Sequence, residues 1–209
     1  MIAIIDYKAG NLASVSRAFS HIGVENIITN DIRIIESADR VVFPGVGAAG
    51  SAMKSLIRLG LDKVLRHALD SGKPVLGICL GTQIILQTSQ ENQTLCLGLI
   101  DGCARGFSES FRSKGIAGFK IPHMGWNRMT LQVDHPVFAG IRPEDEFYFV
   151  HSYYPSPDHA NQVIATTEYG IVFPSVIGMK NLVATQFHPE KSGKPGLRIL
   201  KNFSGWDPC

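Results

Sequence analysis

A chain of 209 residues, 44% of them hydrophobic, with 21 glycines and 11 prolines, has material for one compact domain over 1–209 and a real core. Its formal net charge of +2, with no run of basic residues, excludes a nucleic-acid or membrane partner held by charge. The apolar start at Met1–Asp6 is too short for a secretion signal and no later run reaches membrane-spanning length, so a cytoplasmic protein is expected.

Ile2 to Ile5, closed by Asp6, is a continuous apolar run of the kind found in central parallel strands. A helix follows, with Asn11 as its expected cap, Leu12, Val15, Ala18, Phe19 and Ile22 as its apolar face, and Gly23 as its stop. Strands are expected over 25–29 and 40–43, and a long helical pattern over 51–71 interrupted at Gly60. Residues 73–78 read as a buried strand entered through Pro74, and 83–87 as helix. This βαβ rhythm predicts an α/β fold with an open, mostly parallel sheet and helices on its faces. After about residue 98, short β-branched and aromatic segments at 129–133, 146–150, 162–167 and 171–178 predict an antiparallel β extension. A further strand over 182–187 leads into His188-Pro189-Glu190, and 196–203 reads as a closing helix.

Between strand and helix lies Gly77-Ile-Cys-Leu-Gly81, a lone cysteine flanked by glycines at an abrupt turn. Such an elbow lets backbones approach closely and presents a nucleophile at the mouth of a sheet, and a helix N-terminus favours thiolate over thiol. Acyl transfer through a thioester on Cys79 follows as the chemistry to test, against the plainer reading of a core cysteine. A cysteine nucleophile needs a base and a carboxylate to orient it. His188 and Glu190, two apart at a strand end, are candidates, and a plain turn is the alternative.

Gly45-Val-Gly-Ala-Ala-Gly50 matches the dinucleotide fingerprint G-x-G-x-x-G, but the acid required after the next strand is missing, because Cys79 stands there. A glycine-rich loop whose amides face a developing oxyanion, joined by the amide of Leu80, is the better use; a ligand-free tight turn competes with it. Gln83, one helical turn beyond Cys79, and Glu91, with the backbone at Ser152 and Tyr153, have the groups to hold a zwitterionic amino acid, although such residues are more often plain surface. The four cysteines, 79, 96, 103 and 209, show no C-x-x-C pairing or zinc-type histidine cluster, so free thiols, no metal and no cofactor are expected.

Taken together, Gly77–Gln83, Pro44–Gly47 and Gln186–Glu190 resemble the class I, triad-type glutamine amidotransferases. Within that family Ile5–Tyr7 with Gly10 and Asn11, Pro122–Asn127, Phe149–Tyr153 and His188–Ser192 resemble the glutaminase subunits of imidazole glycerol phosphate synthases. The resemblance spans nearly the whole chain and implies a flavodoxin-like fold. It further implies a Cys79-His188-Glu190 triad, oxyanion amides at Val46 and Leu80, and glutamine contacts at Gly47, Gln83, Glu91, Ser152 and Tyr153. The partner it implies is a (βα)8-barrel cyclase forming a heterodimer, with His123, Met124, Trp126 and Asn127 at the interface; the structural alternative for that run is an ordinary hairpin with a core tryptophan. Thr82, Lys8-Ala9 and Gln90 depart from the commonest family pattern. A paralogous subunit that supplies ammonia for a surface-polysaccharide sugar, and a free-standing Cys-His-Glu hydrolase, stay open as alternatives.

Overall fold

The computed structural model describes residues 1–8 and 11–208. Ala9, Gly10 and Cys209, all named above, lie outside the described residues. The first half runs β1 (Ile2–Ile5), α1 (Leu12–His21), β2 (Asn26–Thr29), α2 (Ile32–Ser37), β3 (Arg40–Gly45), α3 (Ala49–Leu59), α4 (Leu61–Asp70), β4 (Val75–Cys79) and α5 (Leu80–Ile84), strands separated by helices in the expected βαβ rhythm. Then come β5 (Thr88–Ser89), β6 (Thr94–Leu95), β7 (Gly102–Gly106), α6 (Phe107–Lys114), β8 (His123–Arg128), β9 (Thr130–Leu131), β10 (Glu146–His151) and β11 (Tyr153–Pro157). The chain closes with β12 (Val163–Tyr169), β13 (Ile171–Met179), β14 (Leu182–Thr185) and α7 (Gly193–Gly205).

Eight strands form one sheet in the order β2-β1-β3-β4-β14-β13-β12-β9. From β2 to β14 every neighbour is parallel, and from β14 to β9 every neighbour is antiparallel. The β2-β1-β3-β4 start, with a parallel strand beyond β4, is the flavodoxin-like order, whose crevices open at the carboxyl ends of the strands. Both faces are covered, which is why β1 is apolar at every position: Ile2 and Ile4 enter one core with α1 and α7, and Ala3 and Ile5 the other with α3 and α4. Gly60, at φ 70, separates α3 from α4 where a single long helix with an interruption was expected.

Several expectations are corrected. α5 ends at Ile84 instead of running to 87, because the amides of Leu97, Leu99 and Gly98 take the carbonyls of Ile84, Ile85 and Leu86. Asn11 stands at the N-cap position of α1, but at φ 67 and with no capping bond from its side chain. The antiparallel extension is divided, with β10 and β8 pairing as a separate ribbon and β11-β7-β5-β6 as a small third sheet. α2, capped by the Asp31 side chain on the Arg33 amide, and α6, which buries Phe107 and Phe111, were not anticipated.

Candidate active site

Strand pairing brings the elbow and the histidine together. Thr185 of β14 lies opposite Ile78 of β4, and Gly45 of β3 opposite Cys79, so three strand ends converge at one edge of the sheet. Cys79 itself carries the strain of the turn, at φ 55 and ψ −106. A non-glycine residue held there costs on the order of 1–3 kcal/mol and persists only where its surroundings over-determine it. Those surroundings are glycines. A Cβ at Gly77 would stand 2.8 Å from the Ala184 Cβ, one at Gly81 would overlap the Phe43 carbonyl, and one at Gly45 would overlap the Tyr7 hydroxyl. The Gln186 amide reaches the Cys79 sulfur at 3.7 Å. α5 has only five residues, too short for a long helix dipole at the thiol, and the Gln186 amide is the donor that reaches it.

His188 and Glu190 meet across a 3₁₀ turn, Pro189–Lys191, which follows β14 in place of further extended strand. The histidine Nδ1 lies 2.7 Å from Glu190 Oε1, and both side chains are almost fully enclosed. A carboxylate only accepts, so Nδ1 carries the hydrogen. Nε2 is buried with no hydrogen-bond partner among the described residues. Burial alone pulls the imidazole pKa down; Cys79 first and Glu190 second favour the imidazolium more strongly and carry it up to about 9. The backbone is pinned as well, with the His188 amide on the Tyr148 carbonyl at 3.0 Å and the Ser192 hydroxyl on the His188 carbonyl at 2.6 Å.

A cleft of about 410 Å³ opens over these groups. It is lined by Cys79 and His188 with Val46, Gly47, Leu80, Gln83, Glu91, Ser152 and Tyr153, so every oxyanion and substrate candidate faces one space. Pro122, Val150 and His151 complete its wall. Gly47 turns the loop at φ 101, a conformation glycine adopts without strain. The Gln83 amide donates to the Tyr153 carbonyl at 3.0 Å and to Gln186 Oε1 at 3.1 Å, while Glu91 Oε2 accepts from the first amide of α3 at Ala49, 2.7 Å away. Burial, then the Glu91 charge, push the Tyr153 phenol up. A larger hollow of about 540 Å³, lined by residues such as Arg66, Asp70 and Asn181, holds none of the candidates and adjoins the starts of β4 and β14.

The run 122–127 divides by the alternation of β8. Met124 and Trp126 are 62% and 55% exposed, but His123 is only 3% exposed, so its expected place at an interface is corrected: its ring points inward. Asn127 is half-buried and donates to the Glu168 carbonyl at 2.9 Å.

Two contributors escaped the sequence reading. Asn11 Nδ2 donates to Glu190 Oε1 at 3.2 Å, and Gln186, quoted only as part of a motif, touches the sulfur. Thr82, a departure from the family pattern, donates its hydroxyl to the Thr185 carbonyl at 2.6 Å and so bolts α5 to β14.

Comparison with known proteins agrees with this architecture. The family model for glutamine amidotransferase class-I matches residues 3–205. An imidazole glycerol phosphate synthase subunit HisH from Nitratidesulfovibrio vulgaris (strain DP4) is 53% identical over 203 residues, which cover 97% of this chain and 95% of the relative. The subunit of the same name from Pseudomonas putida is 43% identical over 208 residues, 99% and 97% of the two chains. Among solved structures, PurLQS from Thermotoga maritima superposes with a TM-score of 0.73 at 16% identity, over 97% of this chain and 96% of that one. The glutaminase domain of CTPS from Trypanosoma brucei does so with a TM-score of 0.65 at 15% identity, over 99% and 94%. These two likenesses bear on the fold alone.

Proposed function

The chain belongs to the class-I glutamine amidotransferase family, and from that premise we propose that it is the glutaminase subunit of an imidazole glycerol phosphate synthase, acting in histidine biosynthesis. The observation that carries the reading is the strained Cys79 in one cleft with a His188 whose Nδ1 is held by Glu190. Cys79, as thiolate, attacks the side-chain amide carbon of glutamine, and the new oxyanion is received by the amides of Val46 and Leu80. His188 Nε2 gives its proton to the departing nitrogen, which leaves as ammonia and a thioester remains. Water, giving one proton to His188 Nε2, then attacks the thioester and expels the sulfur, which restores the thiolate and the imidazolium; the new carboxylic acid gives its remaining proton to solvent and leaves as glutamate. Glu91 accepts from the substrate ammonium, and Gly47, Gln83, Ser152 and Tyr153 hold the rest of the amino acid. No cofactor enters these steps.

The ammonia passes to a cyclase subunit with a (βα)8 barrel, giving imidazole glycerol phosphate and aminoimidazole carboxamide ribotide. Met124, Trp126 and Asn127 present the face to which that subunit docks, and the whole chain acts as one amidotransferase domain in the cytoplasm. The test is the assembled pair. Cys79→Ala should lose glutamine-driven product formation by at least about a thousandfold, while added ammonia still supports cyclisation. Retained glutamine turnover would overturn the assignment of the nucleophile, and failure to make imidazole glycerol phosphate from either nitrogen source would overturn the acceptor.

A further inference from the structure

A buried pair of histidines, His123 on β8 and His151 at the end of β10, takes no part in the reaction above. His123 Nδ1 lies 3.0 Å from His151 Nε2, and His151 Nδ1 lies 2.7 Å from the Tyr153 carbonyl oxygen. Since a carbonyl only accepts, His151 carries its hydrogen on Nδ1. Aromatic rings enclose both: His123 stacks on Tyr169 and Phe149 with centroids 4.0 and 4.8 Å away, and Phe107 packs on His151 at 5.3 Å. Burial in that casing draws His123 down to about 4 and His151 to about 3, so both are neutral at pH 7. A neutral His151 accepts at Nε2, and the hydrogen between the rings belongs to His123 Nδ1. His123 Nε2 is then the acceptor for the Asn127 amide, 3.3 Å away.

One line of donors therefore runs from Asn127, beside Trp126 on β8, through both rings to the Tyr153 carbonyl. That carbonyl also accepts from Gln83, whose amide meets Gln186, which in turn meets the Cys79 sulfur. Each ring has one donor and one acceptor and uses both. Breaking a link at either ring leaves a buried nitrogen without its partner.

We propose that His123 and His151 are positioning residues that tie the exposed Met124–Trp126 face of β8 to the pocket wall at Tyr153, so that a partner seated on that face acts on the glutamine-holding groups through this line. The inference rests on the glutaminase-subunit reading above. Its test uses the full chain with and without the cyclase subunit. His123→Phe keeps a stacking ring and removes both nitrogens. The acceleration of glutamine turnover by the cyclase should fall at least about tenfold in this variant, while cyclase affinity by calorimetry stays within about threefold. An unaltered chain that the cyclase does not accelerate overturns the subunit reading; an unaltered chain and a variant accelerated equally overturn this inference alone. Should the variant not fold, side-chain nitrogen spectra of the unaltered chain decide. Both rings as neutral Nδ1–H tautomers at pH 7 support the line of donors, and an Nε2–H or protonated ring breaks it.

Discussion

At Cys79 the geometry and the charge distribution depend on each other. The residue is held in a left-handed conformation by glycines that let Phe43, Ala184 and Tyr7 press against the turn, and its sulfur faces the side of the fold that contains His188. His188 is raised from an ordinary imidazole value of 6.5 to about 9, so the imidazolium is favoured in the folded chain relative to the unfolded one. Its stabilising contribution is fully present below about pH 6.5 and is lost as pH climbs through about 9. Cys79 is the leading cause of the rise, so Cys79→Ala should flatten this part of the profile. Denaturation midpoints measured between pH 6 and 10 should fall less steeply for the variant than for the unaltered chain, and parallel curves would contradict the coupling. At this scale the nearness of Cys79, His188 and Glu190 was legible because glycines, a proline and a carboxylate at short spacing leave a local signature. Asn11 was not: its residue type matched a helix cap, but its side chain is taken by Glu190, which only the folded chain brings near.

Among the elements, β8 separates two uses of one six-residue strand. Its outward residues leave an indole 55% exposed beside Met124, while its inward ones lock into the aromatic casing around His151. Buried aromatic anchors carry a disproportionate share of binding energy, so Trp126→Ala should weaken cyclase binding by about 2 kcal/mol, or roughly thirtyfold in Kd. Titration calorimetry checks this, and an unchanged Kd would move the docking face elsewhere. The pattern of β8 was readable as a run of special residues but not as an alternation. Its partners come from β10 and from residue 169, and nothing within the run says which face the core will take. α2 and α6 escaped for a related reason: at six and eight residues they are too short for a periodic stripe to stand out, and packing rather than propensity holds them. The long amphipathic pattern over α3 and α4, by contrast, was plain, with the break at Gly60 falling where a glycine can turn left-handed.

Across the whole molecule, the parallel half of the main sheet was foreseeable from unbroken apolar runs, since only strands covered on both faces can be apolar at every position. The division of the antiparallel half into three sheets was not, because turns of similar composition join strands within a sheet and strands of different sheets alike. That division makes the two walls of the cleft unequal. The Cys79 wall ends β4, which is hydrogen-bonded along both edges in the interior of eight strands; the Val150 and His151 wall belongs to a ribbon of two, each with a single ladder partner. Amide exchange in native buffer should therefore be slowest over 75–79 and markedly faster over 123–128, and equal protection would argue against it. With exchange rates ordered in this way, Cys79 stands on the fixed side of the cleft and Val150 and His151 on its yielding side, so the width of the cleft is set by the ribbon and not by the elbow.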